Sequence, residues 1–214
     1  MNLIYSFNEI TEISREFEQS TLASDRVRND FFPKYLLMSV VSIFEKRIKL
    51  ALEAFIARPQ KPIRRNYKRI HRLVKMKKRS NMTTADIAYG YLHKDRPIAK
   101  SFYKLFGSKT FKPLVEGHFA AMRLAETNNV AGQLFTASGQ EKIALEDHAR
   151  LLRGTDYVAS ATDFMDLKGS RNTLAHDFVA DLSRTFDEIM ALYGSATLFT
   201  HAIIAAINDL TKHP

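Results

Sequence analysis

Apolar residues recur along this chain at three- and four-residue spacing, as they do in helices that bury one face. The strongest run starts near Pro33 and places Leu36, Leu37, Val40, Val41, Phe44, Ile48, Leu52, Phe55 and Ile56 on one stripe before Arg58-Pro59 ends it. A second runs from about Asp181 to Thr211, with Phe186, Ile189, Tyr193, Ala196, Ile203, Ile207 and Leu210 close to helical register. Shorter segments fill the rest. Residues 8–22 carry Ile10, Ile13 and Phe17 on one side, with Asn8 placed to cap and Glu9 and Glu12 in a first turn that favours negative charge. Residues 83–93 and 96–106 read as two short helices, the first capped by Thr83 or Thr84, the second broken by Gly107-Ser108. Residues 111–126 are expected to turn Leu114, Val115, Phe119 and Leu124 inward, with a loop following at Asn128-Asn129 and Gly132. A helix over 139–152 stops at Gly154. No stretch alternates at period two over a useful length, so the pattern predicts an all-α chain, one domain over residues 1–214, without internal repeats.

Composition narrows the class. A chain of 214 residues with 45% hydrophobic and 26% charged positions suits one well-cored soluble domain. The lack of cysteine excludes disulfides and thiolate-bound metal, and fits a reducing cytoplasm. Met1-Asn2-Leu3-Ile4-Tyr5 has no basic region followed by an apolar run, so no secretory signal is expected. Ile189 to Ile207 contains no Asp, Glu, Lys or Arg and has spanning length. Its Tyr193, Ser195, Thr197, Thr200 and His201, together with the helical stripe, point instead to a buried core helix.

The net charge of +9 is concentrated. Residues 58–79 hold eleven Lys and Arg and no acid, whereas the remaining 21 basic residues are balanced by 23 acidic ones. Ile63, Tyr67, Ile70 and Val74 form the apolar side of a basic helix there, and Arg64, Arg65, Lys68, Arg69, Arg72 and Lys75 cover much of the rest. Such a helix can neutralise a run of phosphates; a solvated face or an anionic membrane contact are the competing readings. RNA or an acidic partner protein is expected.

Candidate chemistry centres on Lys168-Gly169-Ser170-Arg171-Asn172-Thr173-Leu174-Ala175-His176-Asp177-Phe178, which holds the only Arg followed after four residues by a His. A guanidinium holds a phosphate through a two-pronged fork. An imidazole moves a proton near neutral pH. The pair suffices to cleave RNA without a metal, because RNA brings its own nucleophile in the 2′-hydroxyl. There is no His-x3-His pair, HExxH sequence, dense carboxylate cluster or glycine-rich phosphate loop, so neither metal nor cofactor is expected.

Arg171, Asn172 and His176 resemble the motif of the HEPN superfamily, whose ribonucleases carry an Arg, usually a polar residue beside it, and then a His after three more. Ser42-Ile43-Phe44-Glu45 looks like the Ser/apolar/Glu element of its RiboL-PSP-HEPN-like branch. The resemblance covers that early helix and roughly 140–212. It implies a HEPN-like helical bundle with residues 58–135 as a basic helical insertion between the N-terminal and C-terminal helix pairs. It also implies a homodimer with a shared cleft, catalytic Arg171 and His176 aided by Asn172, and Glu45 bracing the arginine. By the same resemblance the protein is expected to be a bacterial, cytoplasmic endoribonuclease that leaves 2′,3′-cyclic phosphate ends. It would act as the toxin of a toxin–antitoxin pair or the effector of an antiphage system, cutting a structured RNA such as tRNA and held in check by an antitoxin or inhibitor protein.

Helix geometry constrains that expectation. Five steps of ~100° leave Arg171 and His176 roughly 140° apart and about 7.5 Å displaced along the axis. Either the helix is interrupted between them or a second copy of the chain completes the site. Three other readings stand beside the enzyme. Arg171 can pair with Asp166 or Asp177 while His176 favours the C-terminal end of its helix. The chain can be a non-catalytic helical module that binds RNA or a protein. Or it can be a peripheral membrane protein using the basic helix.

Overall fold

The computed structural model describes residues 32–57, 82–93, 100–177 and 184–212. Among them the fold is all-α: seven α-helices joined by short connections, with no strand. The helices are α1 (Phe32–Ala57), α2 (Thr84–Gly90), α3 (Lys100–Phe106), α4 (Ser108–Leu134), α5 (Gly139–Gly154), α6 (Tyr157–His176) and α7 (Phe186–Lys212). A short 3-10 turn, Tyr91–His93, extends α2. The expected helix over 8–22 and the basic helix with Arg64, Arg65, Lys68, Arg69, Arg72 and Lys75 lie outside the described residues.

The apolar stripe of α1 is buried as its spacing requires: Leu36, Leu37, Val40, Val41, Phe44, Ile48, Leu52 and Phe55 all enter the core. They pack on α7, which also meets α4, α5 and α6. Four contacting neighbours explain why α7 is apolar on more than one face. Ile189, Tyr193, Ala196, Ile203 and Ile207 are buried as its first stripe, and Leu198, Phe199, Ala202 and Ala206 are buried besides. Glu188–Leu210 is the one helical stretch among the described residues long and apolar enough to cross a membrane, and 67% of it is covered by the rest of the protein. Residues of α2, α3 and α4 share this same core, where Phe102, Tyr103, Phe106 and Phe111 form an aromatic group reached by Phe55.

Local signals set most of the ends. Thr83 caps α2 through a reciprocal box: its hydroxyl accepts from the Asp86 N–H at 3.1 Å, and Asp86 accepts from the Thr83 N–H at 2.9 Å. Asp156 caps α6, accepting from the Ala159 N–H at 2.7 Å. Thr185 and Glu188 make a second reciprocal pair, at 2.8 and 3.3 Å, which starts α7 at Phe186 rather than near Asp181. Gly107 ends α3 at a φ of +90°, a backbone conformation that suits glycine.

The structure departs from the sequence reading in α4. The helix runs through Asn128, Asn129 and Gly132 to Leu134, with no loop. Weak helix formers cost at most about 1 kcal/mol each, and the buried Val130 shows what outweighs them: the extended helix packs along its neighbours. Its buried line is Phe111, Val115, Phe119, Glu126 and Val130. Leu124 is five positions beyond Phe119, roughly 140° round the helix, and is 62% exposed rather than inward.

A buried histidine gives the fold a pH dependence. His201 on α7 is only 8% exposed, and burial followed by the nearby Arg47 charge pushes its pKa down to about 4. An Arg47 guanidinium nitrogen lies 3.3 Å from its Nε2. In the unfolded chain an ordinary histidine takes up its proton near pH ~6.5. Between the two values the unfolded state therefore binds a proton that the folded state does not. The stability is complete above about pH 6.5 and is lost as pH falls toward 4, by roughly 3 kcal/mol. His201→Gln, which does not titrate, is expected to give a shallower fall of the urea midpoint across that window. Parallel curves would show that the folded protein protonates His201 freely.

Candidate functional site

The motif helix α6 is continuous from Tyr157 to His176. Its buried line, Ser160, Ala161, Phe164, Leu167 and Leu174, fixes which way each motif residue faces. Arg171 falls on that line, between Leu167 and Leu174 at helical spacing, and is carried toward α1. His176 lies five residues further, on another face, and is exposed at the last position of the helix. The two therefore do not converge within one chain. Asn172 is exposed beside Arg171, and its amide oxygen accepts from the guanidinium at 3.3 Å.

Glu45 of α1 is the acid that Arg171 meets, at 3.9 Å. Asp166 instead meets Arg184, at 3.9 Å. The Arg171 side chain is 27% exposed, yet its Nε is enclosed and has no hydrogen-bond partner. Glu45 is held more tightly by Lys49, one turn on along α1, at 2.6 Å. Lys49 also bonds Asp86 of α2 at 2.7 Å. Ser42, Glu45, Lys46, Lys49, Glu53 and Arg171 line a shallow pocket of about 290 Å³. The Ser42 hydroxyl is turned back onto its own helix, donating to the Met38 carbonyl at 2.7 Å.

Tyr89 of α2 forms the floor between these cations. The Lys168 ammonium sits 4.0 Å from its ring centroid and that of Lys49 5.5 Å away. Both distances are within the reach of a cation–π contact. Burial lowers the Lys168 pKa to about 8, helped by Arg171 and Lys49 and opposed by Glu45. Burial alone would pull Lys49 down as well, but its bonds to Asp86 and Glu45 outweigh this and hold it above the usual lysine value. Bonds from Lys49 and Thr83 take Asp86 down to about 2. Burial raises the Tyr89 phenol above its ordinary range. Lys49 and Asp86 thus form an ionised pair at neutral pH.

Of the expected residues, the structure brings Arg171, Asn172 and Glu45 together and leaves His176 apart. It adds Lys49, Asp86, Lys168 and Tyr89, which sequence reasoning missed. Two were within reach: Lys49 follows Glu45 by four residues, and Lys168 precedes Arg171 by three, the spacings that put side chains on one helix face. Asp86 and Tyr89 come from a helix distant in sequence, and no local pattern marks them. Among the described residues no three His, Asp or Glu side chains gather as a metal site. His118, on α4, bonds Asp209 of α7 at 2.6 Å, away from this cluster in the chain and part-buried.

Comparison with known proteins adds no assignment: no family model, curated protein or solved structure matches this chain.

Proposed function

We propose that the protein is a metal-independent endoribonuclease of HEPN type, working as a homodimer whose two motif helices share one cleft. The observation that supports it most is the division of α6: Arg171 is steadied on one side by Glu45 and Asn172, while His176 is free on another face to serve a partner chain. A two-fold axis beside α6 places the guanidinium of one protomer near the imidazole of the other.

The reaction follows from those groups. Neutral His176 accepts the proton of a ribose 2′-hydroxyl as the 2′-oxygen forms a bond to the adjacent phosphorus. Arg171 stabilises the charge growing on the non-bridging oxygens, an effect worth about 3–4 kcal/mol in comparable oxyanion sites. The bond from phosphorus to the 5′-oxygen breaks, and that oxygen takes a proton from water, while the protonated imidazole returns its own proton to solvent. The products are a 2′,3′-cyclic phosphate and a 5′-hydroxyl. Asn172 orients the guanidinium, and the basic run of residues 58–79 holds RNA in this reading, or docks an inhibitor protein. A toxin or antiphage effector acting on cytoplasmic RNA fits that set of parts.

Purified protein is expected to cut RNA in the presence of EDTA and to leave a DNA strand of the same sequence intact, since DNA lacks the nucleophile. The ends are read by their response to phosphatase and to kinase. RNA binding without turnover would favour a non-catalytic helical module, and binding only to anionic vesicles would favour a membrane-surface role.

A further inference from the structure

Glu45 has two cations to choose between, and the structure divides it unequally. One oxygen is 2.6 Å from the Lys49 ammonium, while the other is 3.9 Å from the Arg171 guanidinium. A carboxylate that closes fully on an arginine does so through two parallel bonds of about 2.8 Å, and it then fills the same fork that a phosphate needs. Here no carboxylate closes on the fork: Nη2 stays 3.9 Å from Glu45, Nη1 donates to the Asn172 amide oxygen at 3.3 Å, and the enclosed Nε carries no hydrogen bond. Lys49 is itself anchored from the far side. Asp86 takes it at 2.7 Å, and Asp86 is fixed in turn by the Thr83 N–H at 2.9 Å and the Thr83 hydroxyl at 2.8 Å.

We propose that Lys49 is a positioning residue of this site: tethered to α2, it keeps Glu45 from closing on Arg171 and leaves the guanidinium open to a phosphodiester. The proposal rests on the ribonuclease reading for its ligand but not for its geometry. Glu45 then both steadies Arg171 and competes with substrate for it, and Lys49 decides the balance.

The test compares wild type with Lys49→Met, Lys49→Gln, Glu45→Gln, the double variant Lys49→Met/Glu45→Gln and the conservative Lys49→Arg, each checked for an unchanged urea midpoint. Reaction of Arg171 with phenylglyoxal, followed by peptide mass spectrometry, reads the openness of the guanidinium without any RNA. Cleavage of RNA, resolved into kcat and KM, reads its use. Lys49→Met and Lys49→Gln are expected to slow modification of Arg171 about tenfold and to raise KM by a similar factor. Lys49→Arg stays near wild type. The double variant recovers to within about threefold of Glu45→Gln, because the competing carboxylate is gone. Unchanged modification in Lys49→Met, or a double variant no better than Lys49→Met, overturns the proposal. Wild-type protein that cuts no RNA, with modification still controlled by Lys49, overturns the ribonuclease reading instead.

Discussion

Mixing Arg171→Ala protein with His176→Ala protein is expected to restore RNA cleavage that neither has alone. Each variant by itself should fall at least about 100-fold, the loss seen when one preorganised donor is removed from an oxyanion site. The recovery follows from α6 being unbroken. Side chains five residues apart on one helix point roughly 140° from each other, so no single chain presents both to one phosphate. If the working site takes its arginine from one protomer and its histidine from the other, a mixed dimer has one site lacking both and one site complete. Random pairing makes half of the dimers mixed, so the mixture should regain about a quarter of wild-type turnover. The measurement is the cleavage rate after the two proteins are combined and allowed to exchange subunits. A mixture as inactive as its components would place the whole reaction within one chain, which the geometry of α6 opposes.

Phe44→Ala should lower stability by about 3–5 kcal/mol, the usual cost of removing a buried ring and leaving a cavity. Phe44 is 1% exposed and stands where α1, α6 and α7 meet. Its ring stacks on Tyr193 of α7 at 5.3 Å and an interplanar angle of 12°, and meets Phe164 of α6 at 5.9 Å and 41°. Such offset and tilted pairs contribute beyond the area they bury. A native domain has only about 5–15 kcal/mol to lose, so the variant should unfold at markedly lower urea with little change in slope. Tyr35→Ala, at a side chain 67% exposed on the same helix, should shift the midpoint by less than about 0.5 kcal/mol. Equal effects at the two positions would mean that α1 does not pack through Phe44. Because Glu45 follows Phe44 directly, this packing also sets where the acid meets Arg171.

The site was legible in part. Arg171, Asn172 and His176 stand out as the only Arg-x4-His sequence in the chain, and Glu45 through the resemblance of Ser42-Ile43-Phe44-Glu45 to a known helical element. Lys49 and Lys168 were hidden among 32 basic residues, where an i,i+4 or i,i+3 neighbour is common. Asp86 reads in sequence as a helix-capping acid, and it is one; that its second oxygen also holds Lys49 depends on α2 lying against α1.

By itself the order of residues determined what periodicity and local capping control: an all-α chain, the inward stripe of α1 from Leu36 to Phe55, the break at Gly107, and the axial core helix α7. These depend on neighbours within about four residues, and such neighbours can be read off a line of text. Tertiary packing decided the rest. It carried α4 through Asn128, Asn129 and Gly132 and turned Leu124 outward, and it kept α6 whole so that Arg171 and His176 face apart. It also joined Lys49 to Asp86 across helices. In each case contacts between segments far apart in the chain outweigh local preferences of about 1 kcal/mol or less per residue, and those contacts exist only once the helices have met.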